Sequence, residues 1–413
     1  MNHTGFLVMD KDQQHKEAVT FAVELARALQ RSGIPSHRLE ENMTLLNQYL
    51  GIHGQFFSSP GVIMASFEKE EDTRTFILRA SSGDLDLEKQ ELLAALGSRV
   101  TNGDLTPAQG SLEVARITHA PNRYSPILTV ICFMISSGGA ARLFGGGWRE
   151  VLVSSAIGLG LGILIQSAGK FQTIGNILAP VAAICAMFLA NLSSLVLGSY
   201  SVHIATVTGL IVLIPGLSLT LAMTELATGH PVSGTSRLSN AMVLFLMLGF
   251  GIALGDKLSR LLPFDFVMAP PHSLPYWSQW VALAAVPLGF VVLFKAKPSD
   301  AGWVFLSAVY AFFSTGWGNA VLGPELGGFL AALGLGLGSN IFARVSGRPG
   351  NIILIPGIML LVPGSIGFRS LSSLLARETL VGVETAFTMS LVAISLVAGL
   401  LFANVIFARG RPI

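Results

Sequence analysis

Three Pro-Gly pairs stand inside long apolar runs. Pro215-Gly216 lies in Leu213-Ile214-Pro215-Gly216-Leu217-Ser218-Leu219-Thr220; Pro356-Gly357 and Pro363-Gly364 lie between 354 and 365. Proline removes a backbone donor and clashes with the preceding turn, and glycine lets the chain leave helical geometry. In lipid, such pairs predict two broken helices. Each fresh half-helix offers amide N–H groups with no intrahelical acceptor, at the positive end of a helix dipole. That chemistry suits a carboxylate. Pro215, Gly216, Pro363 and Gly364 are therefore candidate substrate-binding residues, with hydroxyl contacts from Ser218, Thr220 and Ser365. A proline kink absorbed by neighbouring helices is the plainer alternative.

Ionisable groups in or near apolar segments are costly, so His203, Glu225, Glu325 and Glu384 are functional candidates. His203 can take up and release a proton near neutral pH. Glu225 and Glu325 would hold a substrate ammonium group or a coupling proton. The competing readings are interfacial placement for the three carboxylates and helix packing for His203. Asn191 and Asn319, at segment edges, are further substrate-contact candidates; Asn176, Asn240 and Asn340 suit bonds between helices. Gly158-x-Gly160-x-Gly162 and Gly334-x-Gly336-x-Gly338 lack the lysine and acidic partners of nucleotide loops, so close helix packing explains them. Cys132 and Cys185 sit in apolar stretches, and no His/Cys/Glu group has metal spacing. Neither a cofactor nor a catalytic residue is expected. An enzyme acting through the N-terminal region would draw on His37, Glu40, Glu41 and His53, whose mutual geometry the sequence leaves open.

The elements that must position these residues follow from charge. Residues 1–123 carry 12 Lys+Arg and 16 Asp+Glu, and residues 124–413 carry 14 and 8. Residues 171–224 hold no Lys, Arg, Asp or Glu. A membrane crossing needs about 20 mostly apolar residues. The reading is a multi-span α-helical membrane protein with a small N-terminal soluble α/β domain over 1–123. About ten spans are expected, at 124–142, 151–168, 174–190, 201–224, 238–255, 277–294, 301–318, 324–343, 352–375 and 385–408. They form two five-helix units, 124–260 and 277–408. In the soluble part, Ala18, Phe21, Ala22, Leu25, Ala28 and Leu29 line one face of a helix over 13–32. Ser36 reads as an N-cap for a helix over 38–50, 53–67 and 73–80 read as strands, and 85–100 and 107–119 as helices.

Shifting the sequence by 148 positions sets Pro215-Gly216 on Pro363-Gly364, Gly234 on Gly382 and Gly251 on Gly399. Units of five spans enter the membrane from opposite sides, so the expected architecture is a 5+5 inverted repeat, as in secondary transporters. No signal peptide is read at the start, so the charged leading domain is expected in the cytoplasm. That places Lys170, Arg237, Lys295, Lys297, Arg344, Arg348, Arg409 and Arg411 inside, and Arg142, Arg149, Lys257, Arg260, Arg369 and Arg377 outside, a slight positive-inside bias. The near-neutral charge argues against nucleic acid. The expected partners are a small-molecule substrate, protons and the lipid bilayer, and homo-oligomerisation is compatible with the chain.

Ala141-Arg142-Leu143-Phe144-Gly145-Gly146-Gly147-Trp148-Arg149 resembles a phrase of the threonine/serine exporter family. So do 213–220 followed by Glu225, then Gly229-His230-Pro231-Val232-Ser233-Gly234 and Arg237. Ile355-Pro356-Gly357 and Leu361-Val362-Pro363-Gly364-Ser365 resemble the family's second domain, and Ser32-Gly33 and Arg38-Leu39-Glu40 its soluble start. The resemblance implies a ten-span inner-membrane exporter of threonine and serine, driven by the proton motive force, with a cytoplasmic N-terminal domain. Some relatives divide the halves between two subunits and are linked to small dicarboxylates such as succinate. A dicarboxylate needs a second cation, for which Arg369 is the candidate. The family usually has Asp where Glu225 stands, and often Asp where His230 stands.

Overall fold

The computed structural model describes residues 11–69, 72–80, 83–169, 172–264, 266, 269–361, 364–375 and 378–407. The N-terminal part holds α1 (Lys11–Arg31), α2 (Ser36–Leu50), β1 (His53–Ser59), β2 (Gly61–Lys69), β3 (Asp72–Ala80), α3 (Leu87–Thr101) and α4 (Pro107–His119). The predicted face of α1 is buried along its whole length. It packs with Leu39, Met43 and Leu46 of α2, Ile63, Ala65 and Phe67 of β2 and Leu93 of α3 into one core. The strand expected over 53–67 is two strands. Pro60-Gly61 turns it back, with Gly61 at φ +100°, and β1-β2-β3 form an antiparallel meander. Alternation continues across that turn, which is why periodicity alone ran the two strands together.

The apolar part holds α5 (Pro126–Leu143), α6 (Trp148–Ala168), α7 (Gln172–Leu197), α8 (Val202–Gly209), α9 (Gly216–Ala227), α10 (Pro231–Ser259), α11 (Trp277–Leu293), α12 (Ala301–Leu322), α13 (Gly327–Ser346), α14 (Asn351–Leu361), α15 (Gly364–Leu375) and α16 (Thr379–Ile406). Among the described residues, 7 segments are long and apolar enough to cross a membrane. The helix expected over 201–224 is interrupted: α8 stops at Gly209, and 210–215 are turn before α9. The helix expected over 352–375 is described in two pieces, α14 and α15, and 362 and 363 between them, where the second break was expected, lie outside the described residues. Pro356-Gly357 causes no break. Pro356 sits inside a continuous α14, where one lost backbone bond is absorbed by a buried setting, and Gly357 lets Leu335 close in. α10 begins at Pro231, earlier than expected, because proline is favoured in the first turn of a helix. Arg237 thus lies on a helix rather than in a loop.

The two halves pack alike. α10 packs on α7 and α16 on α13; α9 lies against α10 and α15 against α16; α9 also touches α16, and α15 touches α10. Two glycines of each triplet are packing devices: a Cβ on Gly158 would strike Ser137, and one on Gly336 would strike Ala403, whereas Gly160 and Gly338 face open space.

The soluble part sits on the end of the bundle that carries Arg237, Lys295, Lys297 and Arg348. α3 meets the C-terminal end of α11 head-on: Leu87 N–H donates to the Phe294 carbonyl (3.0 Å) and Glu88 N–H to that of Lys295 (3.2 Å). Two sets of helix-end groups that would otherwise lack partners satisfy one another. Glu91 pairs with Lys297 (3.1 Å) and Arg348 (2.8 Å), and Arg348 grips the buried Asp300 with one nitrogen (2.6 and 2.7 Å). Burial alone would raise the Glu91 carboxyl, but the two cations hold it below the usual carboxylate range.

Candidate substrate site at the helix breaks

The break before α9 meets α15 at Gly364. A Cβ built on Gly364 would lie 2.8 Å from Ile214 Cγ2 and 3.2 Å from the Gly216 Cα. Only a residue without a side chain allows that approach. At the first break, Pro215 has φ −79° and ψ 42°, outside helical geometry. Gly216 N–H donates to the Ile214 carbonyl (2.8 Å), and Leu219 N–H makes the first bond of the new helix, to Pro215 (3.0 Å). The Gly216 amide is therefore engaged locally. The N–H groups of Leu217 and Ser218, which precede the first i→i−4 bond, are those a ligand can use.

A cavity of about 120 Å³ opens at this crossing, bounded by Ser136, Phe144, Ile214, Gly216, Phe290 and Gly364. Ser136 on α5 is 1% exposed, and its Oγ has no hydrogen-bond partner. A buried hydroxyl left unpaired costs about 1–3 kcal/mol, which a polar ligand would recover. No charged side chain lines the cavity among the described residues. Its chemistry is that of one half-helix start, one hydroxyl and an apolar wall.

The other sequence candidates fall in four places. Thr220 is buried next to the break, but its hydroxyl donates to the Gly216 carbonyl (3.3 Å); Ser218 is half-buried on the same turn. Pro363 and the Ser365 side chain lie outside the described residues. His203 on α8 has its ring 6.1 Å from that of Phe368, beside the exposed Arg369, and neither His203 nor Arg369 lines the cavity. Asn191 ties α7 to α10 by donating to Ser259 Oγ (2.6 Å) and Asp256 Oδ1 (3.3 Å). Asn319 is exposed where α12 turns into α13, and Glu325 lies in that turn. Both are remote from the crossing.

Glu225 is fully buried where α9 reaches the soluble domain. Arg237 donates to both its oxygens (3.1 Å each), Ser233 Oγ donates to Oε2 (2.8 Å), and Ser36 N–H donates to Oε1 (3.1 Å). Ser36 is the first residue of α2, not its N-cap; the preceding Pro35 offers no side-chain cap. A carboxylate 189 positions away caps that helix instead. Sequence reasoning missed Ser136, Ser36 and Ser233, because their importance comes from contacts remote in the chain. The Ser136-Ser137-Gly138-Gly139 run of small residues on α5 was the only local signal.

The phrase 141–149 ties together the far end of the bundle. Arg142 donates to Ser278 Oγ (2.6 Å) and Arg149 to the Ser199 carbonyl (2.7 Å), while buried Glu150 accepts from Gly147 N–H (2.9 Å) and Ser201 N–H (2.8 Å).

Comparison with known proteins places this architecture. The family model for threonine/serine exporters matches residues 20–259, and a second model described as Threonine/Serine exporter, ThrE matches residues 279–406. Pheromone-regulated membrane protein 10 of Debaryomyces hansenii is 29% identical over 385 residues, covering 89% of this chain and 37% of that protein. The Saccharomyces cerevisiae protein of the same name is 27% identical over 395 residues, covering 93% of this chain and 50% of its own length. The chain thus spans half or less of these relatives. No solved structure matches it. With both halves of the bundle matched in one continuous chain, the protein belongs to the threonine/serine exporter family.

Proposed function

We propose that this protein is a secondary transporter that exports small polar amino acids, threonine and serine, across the inner membrane at the expense of the proton motive force. The observation that carries the reading is the meeting of the helix break before Gly216 with Gly364 around a small cavity. The substrate carboxylate sits against the start of α9, and its hydroxyl reaches Ser136. Ten crossings follow if α8 with α9, and α14 with α15, each count as one. The reciprocal contacts α9–α16 and α15–α10, together with the 148-position echo in sequence, support an inverted repeat of 124–260 and 277–408. An exporter family accords with a role other than catalysis.

The cavity favours an amino acid over a dicarboxylate. It offers no cation for a second carboxylate, and exposed Arg369 lies outside its lining. Glu225 has all four acceptor positions filled in this conformation, so we assign it no contact with the substrate here. Proton coupling falls to His203 or Glu325, the remaining candidates. In inverted vesicles, labelled threonine accumulates when the interior is acidified, an uncoupler abolishes the accumulation, and succinate does not compete. Accumulation of succinate in place of threonine would assign the other substrate class.

A further inference from the structure

A second cavity, about 70 Å³, lies on the soluble side of the crossing. Leu217 and Leu221 of α9, Ile355 of α14 and Leu400 of α16 form its membrane walls, and Pro35 and His37 at the start of α2 close its cytoplasmic end. It adjoins the central cavity along the same two helices: Gly216 faces one and Leu217 the other, while Leu360 and Ile355 stand on successive turns of α14. Leu217, Ile355 and Leu360 pack together between the two spaces. Beyond α2, His37, Glu40, Glu41 and His230 border an open depression at the surface. His37 and Glu41 of α2 line both the second cavity and the surface depression, and Gly216 and Leu217 line the central and second cavities in turn, so the first turns of α2 stand between the surface and the spaces that adjoin the α9 break.

One group pins that turn. The Ser36 N–H and hydroxyl both join the Glu225 cluster, the hydroxyl through Ser233 (2.8 Å). Glu225 rides on α9, the same half-helix whose other end forms the substrate site. The His230–Glu40 contact (3.2 Å) fastens the next turn of α2 to the start of α10. We propose that the N-terminal turn of α2 is the cytoplasmic gate of the transport path and that Glu225 is the latch holding it shut. A tilt of α9 on binding carries Glu225 away from Ser36 and frees the turn. Arg237 and Ser233 keep the buried carboxylate paired while the gate is open. The soluble domain is then a working part of the transporter.

The inference rests on the crossing being the transport site, and its test is independent of transport. Ser36→Pro removes the N–H and points a ring carbon at Glu225, yet proline is well accepted at the first position of a helix. Ser36→Ala keeps the N–H. In full-length protein with Cys132→Ala and Cys185→Ala, Leu221→Cys reports access to the second cavity. Labelling by a membrane-impermeant maleimide from the cytoplasmic face rises about tenfold in Ser36→Pro, the effect of losing one hydrogen bond to a charged acceptor, and much less in Ser36→Ala. Equal labelling in all three overturns the gate and leaves the transport reading standing. Should Ser36→Pro fail to fold, amide exchange over residues 32–40 of the wild type decides. Faster exchange on adding threonine supports the gate, and exchange unaffected by threonine overturns it.

Discussion

A carboxylate has room for about four donors, and Glu225 has four. Its charge, read in isolation, belongs to a substrate or a proton; read with its neighbours, it belongs to a joint between domains. Gly364 is the reverse case, a residue whose importance lies in having nothing. A Cβ there must displace Ile214 or the Gly216 backbone, and overpacking of that kind costs about 1–3 kcal/mol. Gly364→Val therefore reduces threonine transport at least about tenfold with a modest loss of thermal stability, as vesicle uptake and a melting curve will measure. His37 makes a further prediction. Burial, then the nearby charges of Arg38, His230 and Arg237, lowers its pKa from 6.5 to about 3. Between those values the unfolded chain takes up a proton that the folded one refuses. Stability therefore falls as pH drops below 6.5, by about 1.4 kcal/mol per unit, and is unaffected by this group above 6.5. His37→Asn flattens that acid limb in melting curves taken from pH 7.5 to 5. The Pro-Gly pairs were legible in the sequence because their chemistry is local. Ser136 was not, because nothing local marks a hydroxyl that folding leaves without a partner.

At the scale of elements, the decisive feature is where helices begin. α9 begins at the crossing, where its first amides suit a ligand. α2 and α3 begin at the domain seam, where the bundle supplies Glu225 to one and the end of α11 to the other. A helix start is a set of donors in need of acceptors, and this protein uses that need for both binding and assembly. Arg348, which pairs with both Asp300 and Glu91, completes the seam. Asp300 is 1% exposed. Arg348→Ala leaves it buried and unpaired, at a cost of about 3–5 kcal/mol, whereas Glu91→Gln costs less because the Arg348–Asp300 grip remains. Melting temperatures of the purified variants will rank them in that order. Most helix positions were readable from apolar runs to within a few residues. The exceptions have physical causes: Pro60-Gly61 divides an alternating run, Pro356-Gly357 is tolerated inside a buried helix, and Pro231 starts α10 early.

At the scale of the whole molecule, an acidic N-terminal part sits on the end of an apolar bundle that carries Lys295, Lys297 and Arg348, and ion pairs along the seam match the two. These loop charges thus serve docking. With the soluble domain inside, Tyr49→Cys in α2 reacts with an impermeant thiol reagent only in inverted vesicles, and Tyr276→Cys at the start of α11 only in right-side-out ones. Both positions are well exposed, at 60% and 88%. The split of charge along the chain made the division into an N-terminal part and an apolar bundle legible. The seam was not, because it is built from pairs such as Glu225–Ser36 and Arg348–Glu91 that no periodicity records.

The account stands on the crossing of the α9 break with Gly364 as the place where substrate binds. Ser136→Cys, in protein otherwise free of cysteine, puts a nearly isosteric thiol in that cavity. Its reaction with a small thiol reagent is measured in vesicles that actively transport threonine. Saturating threonine slows the labelling strongly, and succinate does not. Labelling at the same rate with and without threonine, in vesicles that still move it, would place the substrate elsewhere.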